Sequence, residues 1–292
     1  MKILLTGGAG QVGWELRRTL ALFGEVVAPP PAALDLARPD SIVANVREVG
    51  PDLIVNAAAY TAVDQAESEP DLAMKINGDA PRILAEQAAA RRAGLIHYST
   101  DYVFDGRKLE PYREEDEAAP LNVYGKTKLA GEQGVLTTGA AHLVLRTSWV
   151  YGPRGNNFLL TMLRLGQERK ELKVVDDQFG APTPARLIAQ ATAGVLARHV
   201  STGRLDFDAL HAARGLYNLS AAGKTTWHGF AQKILSGRAG TAKLVPIPAS
   251  AYPTPAQRPQ NSVLDNGKFH SAFGFGLPDW EVGLGLCMEE IQ

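Results

Sequence analysis

Short apolar runs alternate with helical stretches along the first half of this chain, and few architectures accommodate that pattern. "KILLT" (2–6), "EVVA" (25–28), "DLIVNAAA" from 52, "GLIHYST" from 94 and "HLVLRTSWVYG" from 142 read as strands. After the first of them Val12, Leu16, Leu20 and Phe23 recur at helical spacing, and residues 68 to 92 are rich in Ala, Glu, Leu and Arg. Apolar strands separated by helices predict a parallel sheet covered by helices on both faces, an α/β doubly wound fold. After about residue 150 glycine and proline become frequent, as in "DDQFGAPTPA" and "VPIPASAYPTPAQRP". That change of texture predicts a smaller, less regular portion packed on the end of the sheet.

Composition narrows the class of work. The chain has 292 residues, 45% hydrophobic and 21% charged, ordinary for a globular protein with a sizeable core. The formal net charge of −1, without a long run of one sign, argues against nucleic acid or an anionic membrane as the main partner. Cys287 is the single cysteine, which excludes an internal disulfide and a multi-cysteine metal site. The opening "MKILLTGGAG" has too short an apolar stretch for a signal peptide, and no run approaches the roughly 18 apolar residues of a membrane span. A cytoplasmic protein is expected. The six histidines show no metal-ligand spacing, so no metal is expected.

"TGGAGQVG" follows the first strand and opens the first helix, with Gly7, Gly10 and Gly13 spaced three apart. Glycine permits a tight turn and close approach of a ligand to backbone. A helix N-terminus offers unpaired N–H groups and partial positive charge, which suits a pyrophosphate. The spacing differs from the usual G-x-G-x-x-G, but strand before and helix after point to a Rossmann-type dinucleotide site. Residues 1–150 are therefore read as a dinucleotide-binding Rossmann domain. Residues 151–292 are read as a mainly substrate-binding portion, with the chain free to cross back to the sheet. The acidic residue that would read a ribose 2′-OH is missing from "VVAPPPAALDL", and no obvious arginine replaces it. NADPH and NADH both remain open as cofactor. Asp35 and Leu36 either line an adenine pocket or form a surface turn. "NAAA" at 56–59 ends the third strand, where small side chains would let a cofactor lie on backbone or let a helix pack tightly.

"HYSTDYVFDG" ends the fourth strand with hydroxyls and a carboxylate, where ligands of such folds lie. In "PLNVYGKTKLAGE", with Pro120 at a plausible first turn, Tyr124 and Lys128 are four apart and share a helix face. An ammonium beside a phenol favours the phenolate, so the pair predicts a lowered tyrosine pKa and a proton carrier near neutral pH. Alone, such a pair is equally a solvated helix face.

Together, the glycine turn, Thr100 after the fourth strand and Tyr124-x-x-x-Lys128 on the next long helix resemble the extended short-chain dehydrogenase/reductases. Over essentially the whole chain, "LLTGGAGQVGWEL", "VNAAAYTAVDQAE", "HYSTDYVFDG", "RTSWVYG", "GNNF", "DQFGAPT" and "YPTPAQRPQNS" resemble one branch of them, the dTDP-4-dehydrorhamnose reductase family. The resemblance implies an NAD(P)H-dependent reduction of the C4 carbonyl of a nucleotide sugar. Tyr124 would protonate the alkoxide, Thr100 polarise the oxygen, and Lys128 lower the pKa of Tyr124 and hold the nicotinamide ribose. It implies a cofactor site of Gly7, Gly10, Gln11, Val12, Gly13, Asp35, Leu36, Ala57, Ala59, Tyr60, Thr61, Tyr98, Tyr124 and Lys128.

It also implies a substrate site of Thr100, Asp101, Trp149 and Arg258. Trp149 would lie against the sugar, or be a packing tryptophan. Arg258 would pair with the diphosphate, or be a structural loop arginine. Asn77 matches a residue that organises a proton relay in the wider family, or packs a helix. The related dehydratases carry Thr-Asp-Glu where this chain has Thr100, Asp101 and Tyr102, so the base for eliminating water is missing. Two alternatives remain: a catalytically silent nucleotide-binding regulatory subunit, and an epimerase or dehydratase of another nucleotide sugar. A homodimer is left open.

Overall fold

The computed structural model describes residues 1–238 and 241–291. Its longer elements are, in chain order, β1 (Lys2–Thr6), α1 (Gln11–Thr19), β2 (Glu25–Val27), α2 (Pro39–Val49), β3 (Leu53–Asn56), α3 (Ala80–Arg91), β4 (Gly94–Thr100), α4 (Val123–Leu136) and β5 (Ala141–Thr147). They continue with α5 (Phe158–Glu168), β6 (Glu171–Val175), α6 (Ala185–Ala197), β7 (Gly215–Asn218), α7 (Trp227–Leu235), β8 (Lys243–Ile247) and α8 (Trp280–Glu289). The central sheet has six strands in the order β7-β5-β4-β3-β1-β2, all parallel.

The sheet is covered on both faces, which is why its strands are continuously apolar rather than alternating. Successive side chains still point to opposite sides. Ile3 and Leu5 join Leu16 of α1, Leu20 just after it, and Ile188 and Val195 of α6 in one core. Leu4, between them, joins Ile42 and Val46 of α2, Leu84 and Ala88 of α3, and Val144 of β5 in the other. A third cluster around Phe230, Leu159 and Trp280 belongs to α5, α7 and α8 and makes the smaller lobe, with β6 and β8 paired in parallel. Position 150 does not divide the core. Both α6 and β7 lie beyond it in sequence, yet they cover and extend the central sheet.

Three local features differ from the sequence reading. The helical stretch of 68–92 is interrupted by a π turn at Lys75–Asp79, which carries Asn77. The fifth strand stops at Thr147, because Trp149 adopts a left-handed φ of 47°, and Val150–Tyr151 pairs instead with Thr183–Pro184. Helix α4 starts at Val123 rather than at Pro120. The Asn122 side chain caps it by accepting from the N–H of Gly125 at 2.8 Å, and Pro120 packs outside against the first turn.

The glycine turn is locked by close backbone approach. Gly7 has φ 69°, and a Cβ on it would fall 2.7 Å from the carbonyl oxygen of Ala57. A Cβ on Gly13 would fall 2.0 Å from the oxygen of Gly7. Backbone cannot yield as a flexible side chain does, so Gly13→Ala should cost about 2 kcal/mol or more in urea denaturation. Gly139→Ala, where nothing lies within 4 Å, should change stability by less than about 0.5 kcal/mol. Equal effects of the two substitutions would contradict this account of the turn.

Candidate active site

Strand β4 delivers Thr100 to the carboxyl edge of the sheet, and the chain then tightens into a 3₁₀ turn at Asp101–Val103. The Thr100 hydroxyl accepts from the N–H of Tyr102 at 3.2 Å and donates to Oδ1 of Asp101 at 3.1 Å. Helix α4 brings Tyr124 over this corner, close enough for the Thr100 hydroxyl to act on its phenol. One turn further on α4, Lys128 is 2% exposed and its Nζ donates to the carbonyl of Tyr98 at 2.5 Å. The structure thus brings Thr100, Tyr124 and Lys128 to one place.

The electrostatics correct one expectation. Burial pushes the Tyr124 phenol up to about 12, reinforced by the charge of Asp101 and opposed by the Thr100 hydroxyl. Burial lowers the Lys128 ammonium to about 8. The tyrosine is therefore not acidified by its neighbour. Lys128 is turned to a strand carbonyl, and loss of water outweighs the helical pairing.

Asp101 is 2% exposed, and hydroxyls surround its carboxylate. Ser148 donates to Oδ2 at 2.9 Å and Thr100 to Oδ1 at 3.1 Å, and the Ser262 hydroxyl lies nearby. Desolvation still prevails and pushes Asp101 up to about 6. Trp149, the residue after Ser148, stacks on Trp227 with centroids 3.5 Å apart and rings 2° from parallel. Gly180 lies against its edge, where a Cβ would be 2.3 Å from Cε2. A bulky residue at positive φ is uncommon, and here packing holds it.

The cofactor side has a usable shape. No side chain caps the N-terminus of α1, and no acidic residue occupies its first turn. Its N–H groups and partial positive charge suit a pyrophosphate. Gly10 caps that helix and Gln11 begins it, with Gln11 Oε1 accepting from Asn157 at 2.9 Å. Ala57, Ala59, Tyr60 and Thr61 form the loop after β3. The Tyr60 backbone is clamped by both ends of the Asn77 amide, at 2.8 and 3.0 Å, which gives Asn77 a packing role joining this loop to Thr127 of α4. Val12 faces the core. The Tyr98 side chain points to the opposite face and its hydroxyl bonds Thr192 at 2.6 Å, so only its carbonyl reaches toward Lys128.

Two groups of expected site residues make contacts within the protein. Asp35 accepts from the N–H of Ala37 at 2.9 Å through one carboxylate oxygen, and Leu36 is buried in the α2–α3 core. Arg258 is held by Asp64 in two hydrogen bonds, of 3.0 and 2.8 Å, and by Thr254 at 2.5 Å. These contacts fix the 254–258 loop beside Tyr102.

Sequence reasoning missed Ser148, Ser262, Trp227 and Arg17. Arg17 is exposed, and its aliphatic stem runs past Gly8 beside Ala28, the residue that follows β2: a Cβ on Gly8 would lie 3.0 Å from the Cβ of Ala28 and 3.4 Å from Cδ of Arg17. Its position on α1 hid it from a search confined to the residues after β2. Among the described residues no group of three His, Cys, Asp or Glu could hold a metal ion, and no helix is long and apolar enough to cross a membrane.

A parallel sheet with a glycine turn after its first strand and a threonine, tyrosine and lysine converging at the end of its fourth defines an extended short-chain dehydrogenase/reductase. Residues 1–292 match the family described as RmlD substrate binding domain. A dTDP-4-dehydrorhamnose reductase of Burkholderia thailandensis is 50% identical over 301 aligned positions, covering 100% of this chain and 99% of that one. The structure of a dTDP-4-dehydrorhamnose reductase from Clostridium acetobutylicum superposes with a TM-score of 0.91 at 36% identity, covering 100% of both chains. The one from Bacillus anthracis, solved in complex with NADP, gives 0.89 at 34% identity, with 99% of each chain covered. The chain belongs to the dTDP-4-dehydrorhamnose reductase family.

Asp101 makes a sign-specific expectation. A folded-state pKa raised to about 6 means that protonation stabilises the fold. That contribution is complete below about pH 4 and lost as the pH rises through about 6. Asp101→Asn, neutral throughout, should therefore be about 1–3 kcal/mol more stable than the wild type at pH 8. The gap should close at pH 4. Urea denaturation at the two pH values measures it, and a gap independent of pH would contradict the assignment.

Proposed function

We propose that this protein uses NAD(P)H to reduce the C4 carbonyl of dTDP-4-dehydro-L-rhamnose to dTDP-L-rhamnose. The observation that carries the reading is the meeting of Thr100, Tyr124 and Lys128 at the carboxyl end of β4 in a chain of this family. The nicotinamide supplies hydride to the carbonyl carbon; the protein positions, polarises and protonates. The N-terminus of α1 and the loop of Ala57 to Thr61 hold the dinucleotide.

Thr100 donates a hydrogen bond to the carbonyl oxygen as negative charge builds on it. Tyr124 gives that oxygen a proton. A phenol at about 12 is fully protonated at neutral pH, as a donor must be, and is still a stronger acid than an ordinary alcohol, so the transfer runs downhill. The positive charge of Lys128 steadies the phenolate left behind. Asp101, fixed by Ser148, and the Trp149–Trp227 stack bound the sugar side of the site. Tyr102 stands where elimination would need a base. Burial and the charge of Asp101 raise its pKa above the usual tyrosine range, which removes it from that role.

Tyr124→Phe should retain cofactor binding, read by NADPH fluorescence, and lose about 10²- to 10⁴-fold in the rate of sugar reduction. A variant with more than about half the wild-type rate, with chemistry limiting, would remove Tyr124 from the proton-donor role.

Both cofactors are accepted, with Arg17 favouring NADPH. An arginine beside the end of the second strand is where a 2′-phosphate is read. Arg17→Ala should lower kcat/KM for NADPH about tenfold, the loss of roughly 1.4 kcal/mol, and leave that for NADH within about twofold. Equal losses with both cofactors would show that Arg17 serves helix α1 and not the 2′ position.

A further inference from the structure

Beneath α4, behind Lys128, lies a buried ion pair that the reaction does not use. Arg146 of β5 donates from Nε to Oε1 of Glu132 at 2.9 Å and from Nη2 to Oε2 at 2.7 Å. Both side chains are almost wholly buried, at 3% and 1% exposed. Glu132 stands one helical turn after Lys128 on the same face of α4. Arg146 is held from its other side by the ring of Phe104, 4.9 Å away.

The surroundings offer Lys128 little other compensation. On its own helix it has Tyr124, a neutral phenol, and Glu132. Below it on β4 are His97, Ser99 and the carbonyl of Tyr98, with Thr100 and Asp101 at the strand end; across on β5 is Arg146. On the side of the π turn, Asn77 is neutral. Burial and the nearby Lys128 charge keep His97 unprotonated. Two cations and one carboxylate therefore share the space between α4 and the sheet, an excess of one positive charge. Asp101 lies at its edge, on the far side of Tyr124. Arg146 Nη1, His97 Nε2 and Ser99 Oγ are buried without partners, and Arg146 pairs in register with Ser99.

We propose that Glu132 and Arg146 are positioning residues for Lys128: Arg146 takes both oxygens of Glu132 and so keeps this carboxylate from capturing the ammonium, leaving it turned to the carbonyl of Tyr98 and toward Tyr124. The inference rests on the reductase reading for its catalytic meaning, but its physical content is independent of turnover. A free Glu132 one turn away would hold Lys128 charged and draw it along the helix, away from the reacting end. A neutralised Glu132 leaves the charge of Lys128 to the site. The lowered pKa of Lys128, with Glu132 only partly opposing desolvation, agrees with this balance.

The test is the titration of Lys128 itself, followed by NMR in protein labelled at the lysine side chains, with its signal assigned by its loss in Lys128→Arg. Arg146→Gln frees Glu132 and should raise the Lys128 midpoint by about one pH unit or more; Glu132→Gln leaves a cation opposite and should lower it by a similar amount. The double variant Glu132→Gln/Arg146→Gln should return to within about half a unit of the wild type, as the two effects cancel. If one single variant does not fold, the other and the double decide between them, since each carries its own expected value. A pair with no electrostatic hold on Lys128 would alter expression or melting without moving the midpoint. Midpoints within about 0.3 unit of the wild type in the folded single variants, shifts of the same sign, or a double variant displaced by a unit or more would overturn the proposal. NAD(P)H oxidation with dTDP-4-dehydro-L-rhamnose is assayed in parallel. A wild type that consumes no cofactor while the titrations behave as expected would remove the reductase reading and leave the electrostatic role of the pair standing.

Discussion

Desolvation of ionisable groups at the carboxyl end of β4 is the constraint to which the rest of the structure answers. Asp101 and Lys128 are taken out of water and Tyr124 is partly buried, and each is pushed toward its neutral form. Burying charge costs several kcal/mol unless hydrogen bonds or opposite charge compensate, so the neighbouring elements supply them. Ser148 from the end of β5, Ser262 from the C-terminal loop and Thr100 serve Asp101. The carbonyl of Tyr98 and the side chain of Glu132 serve Lys128, and Arg146 serves Glu132. These partners come from separate parts of the chain, which ties the reacting groups to the fold as a whole.

The same constraint explains the shape of the smaller lobe. Arg258 clamps its loop to Asp64, next to the loop after β3, and so presses the C-terminal residues against the corner that holds Tyr102 and Tyr124, whose rings meet edge to face at 5.8 Å. Trp149 adopts a left-handed backbone conformation at the point where the chain leaves β5 for the lobe, stabilised by its stack on Trp227. Such strain of about 1–3 kcal/mol persists where the surroundings over-determine a residue, and it marks sites where position matters more than stability.

Much of the sheet was legible in the sequence, because parallel strands buried on both faces are short continuous apolar runs and "TGGAGQVG" lies at the first strand-to-helix turn. The shared neighbourhood of Thr100, Tyr124 and Lys128 was legible from strand end and helical spacing, while their roles came only from the family resemblance. What was not legible has a common cause: it depends on contacts between residues far apart in sequence. Ser262 meets Asp101 across more than half the chain, and Arg258 meets Asp64 likewise. The sign of the Tyr124 shift was misjudged because spacing reveals a neighbouring charge but not the loss of water around both groups.

The central claim, that this site delivers one hydride to a sugar carbonyl and protonates the oxygen, is tested most directly by isotope transfer. The enzyme is supplied with dTDP-4-dehydro-L-rhamnose and NADPH carrying deuterium at the transferable position of the nicotinamide. The account expects dTDP-L-rhamnose with deuterium at C4, one equivalent of cofactor oxidised per sugar, and deuterium retained through repeated turnovers. Product formed without net cofactor oxidation, or conversion of dTDP-glucose to its 4-keto-6-deoxy form by the same protein with catalytic NAD⁺, would contradict it.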